Sequence, residues 1–142
     1  MKTSVLFLCT GNSARSQMAE GLLRHFAGDR YEVFSAGTQP VGLNPLAVEA
    51  MREIGADISA QRSKHVSEFD GIPVSAVVTV CDRVRESCPI FPMADRTIHW
   101  SFDDPAAAQG SHEEMLAEFR RVRDLIAGRI RTEFLSAETP QA

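Results

Sequence analysis

The sequence predicts an α/β fold of three layers, with helices on both faces of a four-stranded parallel sheet in the order 2-1-3-4. Three observations lead there. Short runs of strand length recur along the chain, SVLFLC, YEVFSAG and SAVVTVC, rich in the apolar and β-branched residues of buried parallel strands. Segments with helical periodicity separate them, and strands that alternate with helices imply parallel pairing through crossovers. The length of 142 residues is that of one domain, so 1–142 reads as a single domain with residues 136–142 as a frayed tail.

Each element follows from its own residues. SVLFLC makes the first strand, ending at Cys9. A helix starts near Ser13 or Ala14, and Met18, Leu22 and Phe26, with Leu23 beside them, give it a core-facing stripe. YEVFSAG (Tyr31 to Gly37) is the second strand. In NPLAVEAMREIG, Asn44 caps a helix, Pro45 takes its first position and Gly55 stops it. SAVVTVC (Ser75 to Cys81) is the third strand and RTIHW (Arg96 to Trp100) the fourth. Ser111 and Glu114 form an S-x-x-E capping signal before a long helix, whose buried face carries Met115, Phe119, Val122, Ile126 and Ile130. Glu113 and Glu114 near its start, and Arg129 and Arg131 near its end, complement its dipole.

Composition narrows the function. A hydrophobic content of 44% supports an ordinary core, and a net charge of −4 offers no electrostatic footprint for nucleic acid or an anionic membrane. No apolar stretch approaches the ~20 residues of a membrane span. MKTSVLFLC resembles a signal peptide in its lysine and apolar run, but Cys9 ends the run and a polar loop follows, so a strand is the better reading. Without a targeting signal, the cytoplasm is the expected compartment. There are three cysteines, Cys9, Cys81 and Cys88. An odd count argues against a structural disulfide framework, and the absence of a C-x-x-C pair argues against zinc. Catalytic or redox thiols remain, beside the plainer reading of small buried residues.

Topology places two of these thiols together. In an open parallel sheet, ligands bind beyond the carboxyl ends of the strands where strand order reverses. With the order 2-1-3-4 that point lies between the strands ending in Cys9 and Cys81, so both fall at one mouth.

The stretch LCTGNSARSQ supplies the chemistry. A short loop between a strand and a helix lets backbone N–H groups from Thr10, Gly11, Asn12, Ser13, Ala14 and Arg15 converge on one oxyanion, with the helix N-terminus adding positive potential. Gly11 permits a tight turn and Asn12 tolerates left-handed backbone angles. Arg15 offers a planar fork for two oxygens. The same surroundings favour the thiolate of Cys9, and a hydrogen bond from Ser16 would add to the effect. A thiolate at the bottom of such a cradle attacks the central atom of a tetrahedral oxyanion. The loop lacks the Gly-Lys-Ser/Thr of a nucleotide P-loop.

Such an attack needs a proton donor for the leaving oxygen. FDDP provides Asp103 and Asp104 in a loop after the fourth strand, and Pro105 stiffens the backbone beside Asp104, the preferred acid. The competing reading is that Asp-Asp-Pro is turn chemistry. CDRVRESC sets Cys81 and Cys88 seven residues apart. In a helix their Cα atoms would lie roughly 10.5 Å apart along the axis, whereas a disulfide requires about 7 Å or less. Either they never bond, or the segment unwinds. Its polar composition and Pro89 suit a marginal helix that opens readily, hence a redox switch.

Taken together, CTGNSARSQMAEG, CDRVRESCPIFP, HWSFDDPA and EFRRVRDLI resemble the arsenate reductases built on the low-molecular-weight tyrosine phosphatase fold, from about Val5 to Phe134. The resemblance implies that Cys9 attacks arsenate while Asp104 protonates the leaving hydroxyl. It implies that Cys81 then attacks Cys9, releasing arsenite and leaving a Cys9–Cys81 disulfide. Cys88 next converts this to Cys81–Cys88, which thioredoxin or another thiol system (glutaredoxin with glutathione, or mycothiol) reduces. No metal or flavin is implied. Many thioredoxin-linked members carry a potassium site; Asn12 and Ser35 match residues used there and Glu20 a nearby carboxylate. Arg62 and Lys64, however, stand where those members have threonine and aspartate, and a cation in place of an anion argues against a potassium requirement. A monomer is the expected state.

Two other readings compete. A tyrosine-type phosphatase would use the same Cys9, Arg15 and Asp104, with water resolving the intermediate. DPAAA lacks the aromatic residues that follow Asp-Pro in those enzymes, and hydrolysis leaves Cys81 and Cys88 without a role. A non-catalytic oxyanion-binding module would explain the loop but neither the acid nor the spare thiols. Trp100 reads as core or mouth wall, His25 and His112 as helix surface, and RRVRD as a solvated helix face.

Overall fold

The computed structural model describes residues 2–81 and 90–135. Its strands are β1 (Thr3–Cys9), β2 (Tyr31–Gly37), β3 (Val74–Thr79) and β4 (Ala94–His99), and its α-helices are α1 (Arg15–Ala27), α2 (Pro45–Arg52) and α3 (His112–Ile130). The strands form one sheet in the order β2-β1-β3-β4, and every pairing is parallel. This is the order expected from the sequence. The segment CDRVRESC after Cys81, and with it Cys88 and the expected marginal helix, lies outside the described residues, as does the tail from 136 to 142.

Alternation along the strands divides the core. Val5, Phe7, Val33 and Val78 point to one face, where α1, α2 and α3 pack together around Met18, Met51, Phe119 and Ile126. Trp100 is fully buried there among Phe7, Phe102 and Phe134. On the other face Leu6, Leu8, Ala36 and Val77 form a smaller cluster with Phe69 and Phe91. Among the described residues, one short 3-10 helix (Val66–Phe69) lies over that side.

Boundaries differ slightly from expectation. The α1 helix begins at Arg15, one residue later than Ala14, because Ala14, with φ −126° and ψ −71°, lies outside the helical range. The third strand runs Val74–Thr79 and not to Cys81, and the fourth Ala94–His99. Trp100 N–H still donates to Thr79 C=O and Val80 N–H to Leu8 C=O, so the ladder outlasts the regular strands. The Asn44 cap accepts from Leu46 N–H. At the far end of α2, Gly55 (φ 83°) closes a Schellman turn, with Ala56 N–H bonded to Met51 C=O and Gly55 N–H to Arg52 C=O. The Ser111–Glu114 capping box is reciprocal. In the first turn of α3 Leu116, and not Met115, is the fully buried residue; the stripe rotates so that Leu116 aligns with Phe119 and Ile126 at helical spacing. No helix among the described residues is long and apolar enough to cross a membrane.

Candidate active site

The loop from Thr10 to Ala14 joins β1 to α1 at the carboxyl end of the sheet. Its shape is imposed from outside. Thr10 C=O accepts from Gln39 N–H, Gly11 C=O from Val41 N–H and Ser13 C=O from Asn44 N–H. Ser63 Oγ also donates to Gly11 C=O, and Gln17 Nε2 donates to Asn12 C=O. Each carbonyl from Thr10 to Ser13 is thus held outward, which leaves the N–H ends of these peptides to turn inward. Asn12 takes the left-handed conformation expected of it, with φ 46°. Gly37, beside the loop on β2, has no room for a side chain, since a Cβ there would sit 2.4 Å from Thr10 O and 2.9 Å from Asn12 N.

Cys9 lies at the base of this cradle, buried, with a free thiol. Ser16 Oγ is 2.8 Å from its sulfur and Asn12 N–H donates to it over 3.2 Å. Behind them lies a buried polar network. Asn12 Nδ2 donates to Ser16 Oγ and Ser35 Oγ, Ser35 Oγ donates to Glu20, and Glu20 pairs with Arg24. On the remaining side of Asn12, its Oδ1 accepts from Lys64 N–H and from Gln17 Nε2, and Gln61 in turn donates to Gln17. Lys64 is held in this region with its ammonium on Arg62 C=O. Burial pushes the Lys64 amine below the ordinary lysine value, with the Glu20 carboxylate pulling the other way. The residues matched to a potassium site are therefore gathered, but with the lysine chain among them.

Arg15 opens α1. The Ala14 cap provides no side-chain hydrogen bond, so the first-turn N–H groups of α1 lack the usual capping oxygen. The Arg15 side chain is buried and Nη1 donates to Phe102 C=O over 3.2 Å. Its Nη2 lies 3.8 Å from Asp104 Oδ2. Asp104 does two things at once. Oδ1 accepts from Ala106 N–H and caps the 3-10 helix Pro105–Ala107, while Oδ2 faces the arginine. The turn reading is realised in this side chain, which still leaves its second oxygen facing the pocket's arginine. Asp103 points away and pairs with Arg121. Between these groups lies a small pocket of about 90 Å³ lined by Cys9, Gly11, Arg15, Val41 and Asp104, room for one small oxyanion. It adjoins a wider cleft of about 570 Å³ toward Gln39, Ala107, Ala108 and Glu118.

Cys81 is buried and disulfide-bonded. Leu8 pairs with Thr79, so the cysteines follow the ends of adjacent strands. The side chain of Val80 shares the larger cluster with Cys9, and Cys81 follows it in a bend just past the end of β3. His99 bonds Thr79 Oγ1 through Nδ1 on β4. The sequence reading missed the carbonyl-pinning residues Gln39, Val41 and Ser63 and the buried Gln17. Their backbone amides and loop positions leave no motif, although a fully buried glutamine in α1 is a polar anomaly that a stripe count exposes.

A family model described as low molecular weight phosphotyrosine protein phosphatase matches residues 4–138. The chain belongs to that family. An arsenate reductase of Halalkalibacterium halodurans is 50% identical over 131 residues, 92% of this chain and 94% of that protein. Among solved structures, an arsenate reductase in a phosphate-binding state superposes with a TM-score of 0.81 at 29% identity, covering 96% of this chain and 98% of that one. The thioredoxin-dependent arsenate reductase of Corynebacterium glutamicum gives 0.72 at 29% identity, over 95% of this chain and 61% of that one. Both solved structures share the overall fold along nearly the whole of this chain.

Proposed function

We propose that the chain is an arsenate reductase that converts As(V) to As(III) by a relay through Cys9, Cys81 and Cys88. The observation that carries the reading is the state of the thiols: Cys9 is free at the base of an oxyanion-sized pocket, while Cys81, at the end of the neighbouring strand, is in a disulfide. The full-length similarity to arsenate reductases supports it.

Arsenate enters the pocket, where inward N–H groups and the Arg15 fork share its charge. The Cys9 thiolate attacks arsenic and Asp104 gives a proton to the departing hydroxyl, so that water leaves and a Cys9–S–As bond forms. Cys81, as thiolate, attacks the Cys9 sulfur. The electron pair of the S–As bond passes to arsenic, which leaves as arsenite, and a Cys9–Cys81 disulfide remains. Cys88 attacks Cys81 and frees the Cys9 thiolate. A dithiol donor of the thioredoxin type then reduces Cys81–Cys88 and supplies the two electrons. Because Cys81 must exchange its partner between Cys88 and Cys9, the relay requires the chain that carries it to rearrange within each cycle. In this reading the chain acts as one catalytic domain, a monomer in the cytoplasm, with no bound metal or flavin.

The phosphatase reading shares every group up to the first attack. Its support is the 570 Å³ cleft, wider than an inorganic oxyanion needs, but the wall after Pro105 is Ala106, Ala107 and Ala108 and offers no aromatic face to a phenyl ring. The deciding experiment mixes arsenate with the protein, thioredoxin, thioredoxin reductase and NADPH and follows NADPH loss. Parent turnover with loss of turnover in Cys81→Ser and Cys88→Ser supports the relay. Equal turnover in all three proteins overturns it. Activity only with a glutaredoxin–glutathione or mycothiol system changes the donor and keeps the relay.

A further inference from the structure

We propose that Arg121, on the outer side of α3, is a positioning residue for the loop that carries Asp104; this rests on the reading of Asp104 as the proton donor. The loop between β4 and α3 is tethered at the two residues just before the acid, to the cradle through Phe102 and to α3 through Asp103. Toward the cradle, Arg15 holds Phe102 C=O, and the Phe102 ring packs edge-on against buried Trp100. Toward α3, Arg121 Nη2 donates to Asp103 Oδ2 over 3.0 Å. A lone exposed ion pair contributes little. Here, however, the guanidinium is already oriented, because Glu118, one turn earlier on the same helix, receives both Nε and Nη2. A fork fixed on a rigid helix restrains its second partner at small further entropic cost. The pull is directed away from the pocket and acts on the residue next to Asp104. It sets Asp103 outward, and the adjacent carboxylate is left with one oxygen on Ala106 N–H and the other 3.8 Å from Arg15. Glu118 and Asp103 both line the wider cleft, so the cluster also forms part of its rim.

The arrangement separates two functions. Oxyanion binding belongs to the Thr10–Arg15 cradle, which Arg121 does not touch. Proton delivery depends on where the Asp103–Asp104 peptide is held. Loss of Arg121 should therefore lower kcat while the affinity for oxyanions stays as it is.

The test compares the parent with Arg121→Gln, Arg121→Lys and Asp103→Asn on arsenate, p-nitrophenyl phosphate and phenyl phosphate. Inorganic phosphate serves as a competitive inhibitor, and amide hydrogen exchange is followed across residues 103–108. Arg121→Gln is expected to lose about tenfold in kcat, a fraction of the ~10²–10⁴ that a placed acid supplies. The phosphate inhibition constant should not change, and amides 103–108 should exchange faster. The loss should be larger for phenyl phosphate, whose leaving group needs the proton more, than for p-nitrophenyl phosphate. Arg121→Lys should restore part of the rate, and Asp103→Asn combined with Arg121→Gln should be no worse than either alone. Unchanged kcat and exchange in Arg121→Gln overturn the proposal. So does a loss that is equal for both esters and matched by weaker phosphate inhibition. If the parent cleaves the esters but does not reduce arsenate, the arsenate reading fails and the Arg121 comparison still stands on the esters. If it does neither, the exchange measurement decides alone.

Discussion

The Arg15 guanidinium donates to the carbonyl oxygen of Phe102, 87 residues further along the chain, over 3.2 Å. One side chain thereby joins the cradle to the loop bearing Asp104. A lysine at this position keeps the charge but has no fork, so it cannot hold the Phe102 carbonyl and two oxyanion oxygens together. Arg15→Lys is expected to lose about 100-fold in kcat/KM for arsenate, on the scale of removing one transition-state donor. Steady-state kinetics check this, and a variant retaining a third of parental efficiency would contradict it.

Gly37 has no space beside Thr10 O and Asn12 N. An added methyl group must push the cradle backbone, since both contacts are main chain. Gly37→Ala is expected to cost about 1–3 kcal/mol of stability, the usual range for overpacking, and to weaken phosphate binding at least tenfold by calorimetry. Unaltered phosphate affinity would show that the cradle is not shaped from β2.

Asn12 combines a left-handed backbone with bonds to Ser16, Ser35 and Lys64 N–H. Two variants separate these contributions. Asn12→Gly keeps the backbone freedom and loses the bonds, whereas Asn12→Ala loses both. Both should be less stable than the parent in urea, with the alanine variant worse by about 1 kcal/mol, the cost of left-handed torsions without glycine. Equal midpoints would refute the strain argument.

Glu53 ties the end of α2 to α3. Hydrogen bonds from Arg120, then from Arg123, hold its carboxyl below the ordinary value of 4.5. A depressed acid contributes stability above its unfolded value and loses it as pH falls through the folded one. Glu53→Gln should thus be less stable than the parent near pH 7, and the gap should close as the pH falls below the ordinary glutamate range. Urea curves across that range test this. A gap independent of pH would mean that packing, not charge, explains the loss.

Much of this architecture is written in local sequence. Strand runs, the Asn44-Pro45 start, the Gly55 stop and the Ser111–Glu114 box each act over a few residues, and each appears in the structure. The shape of the cradle was legible for a similar reason, since Cys9, Gly11, Asn12, Arg15 and Ser16 lie together where β1 passes into α1. The tethers were not legible. Gln39, Val41 and Asn44 act through main-chain N–H groups that any residue but proline possesses, and Ser63 reaches Gly11 from 52 positions away. Arg121 reads as a solvated helix face because its partner lies in another loop. Strand ends shifted where hydrogen bonds continue past regular geometry, as at Val80 and Trp100.

The unequal faces of the sheet have a kinetic consequence. Among the described residues, three helices and most of the aromatic mass are fastened to one side, and Cys9 belongs to that same side. The residues that set how long the molecule survives are therefore close neighbours of the candidate nucleophile. A change made to lengthen the lifetime of this small chain is then felt at its cradle as well.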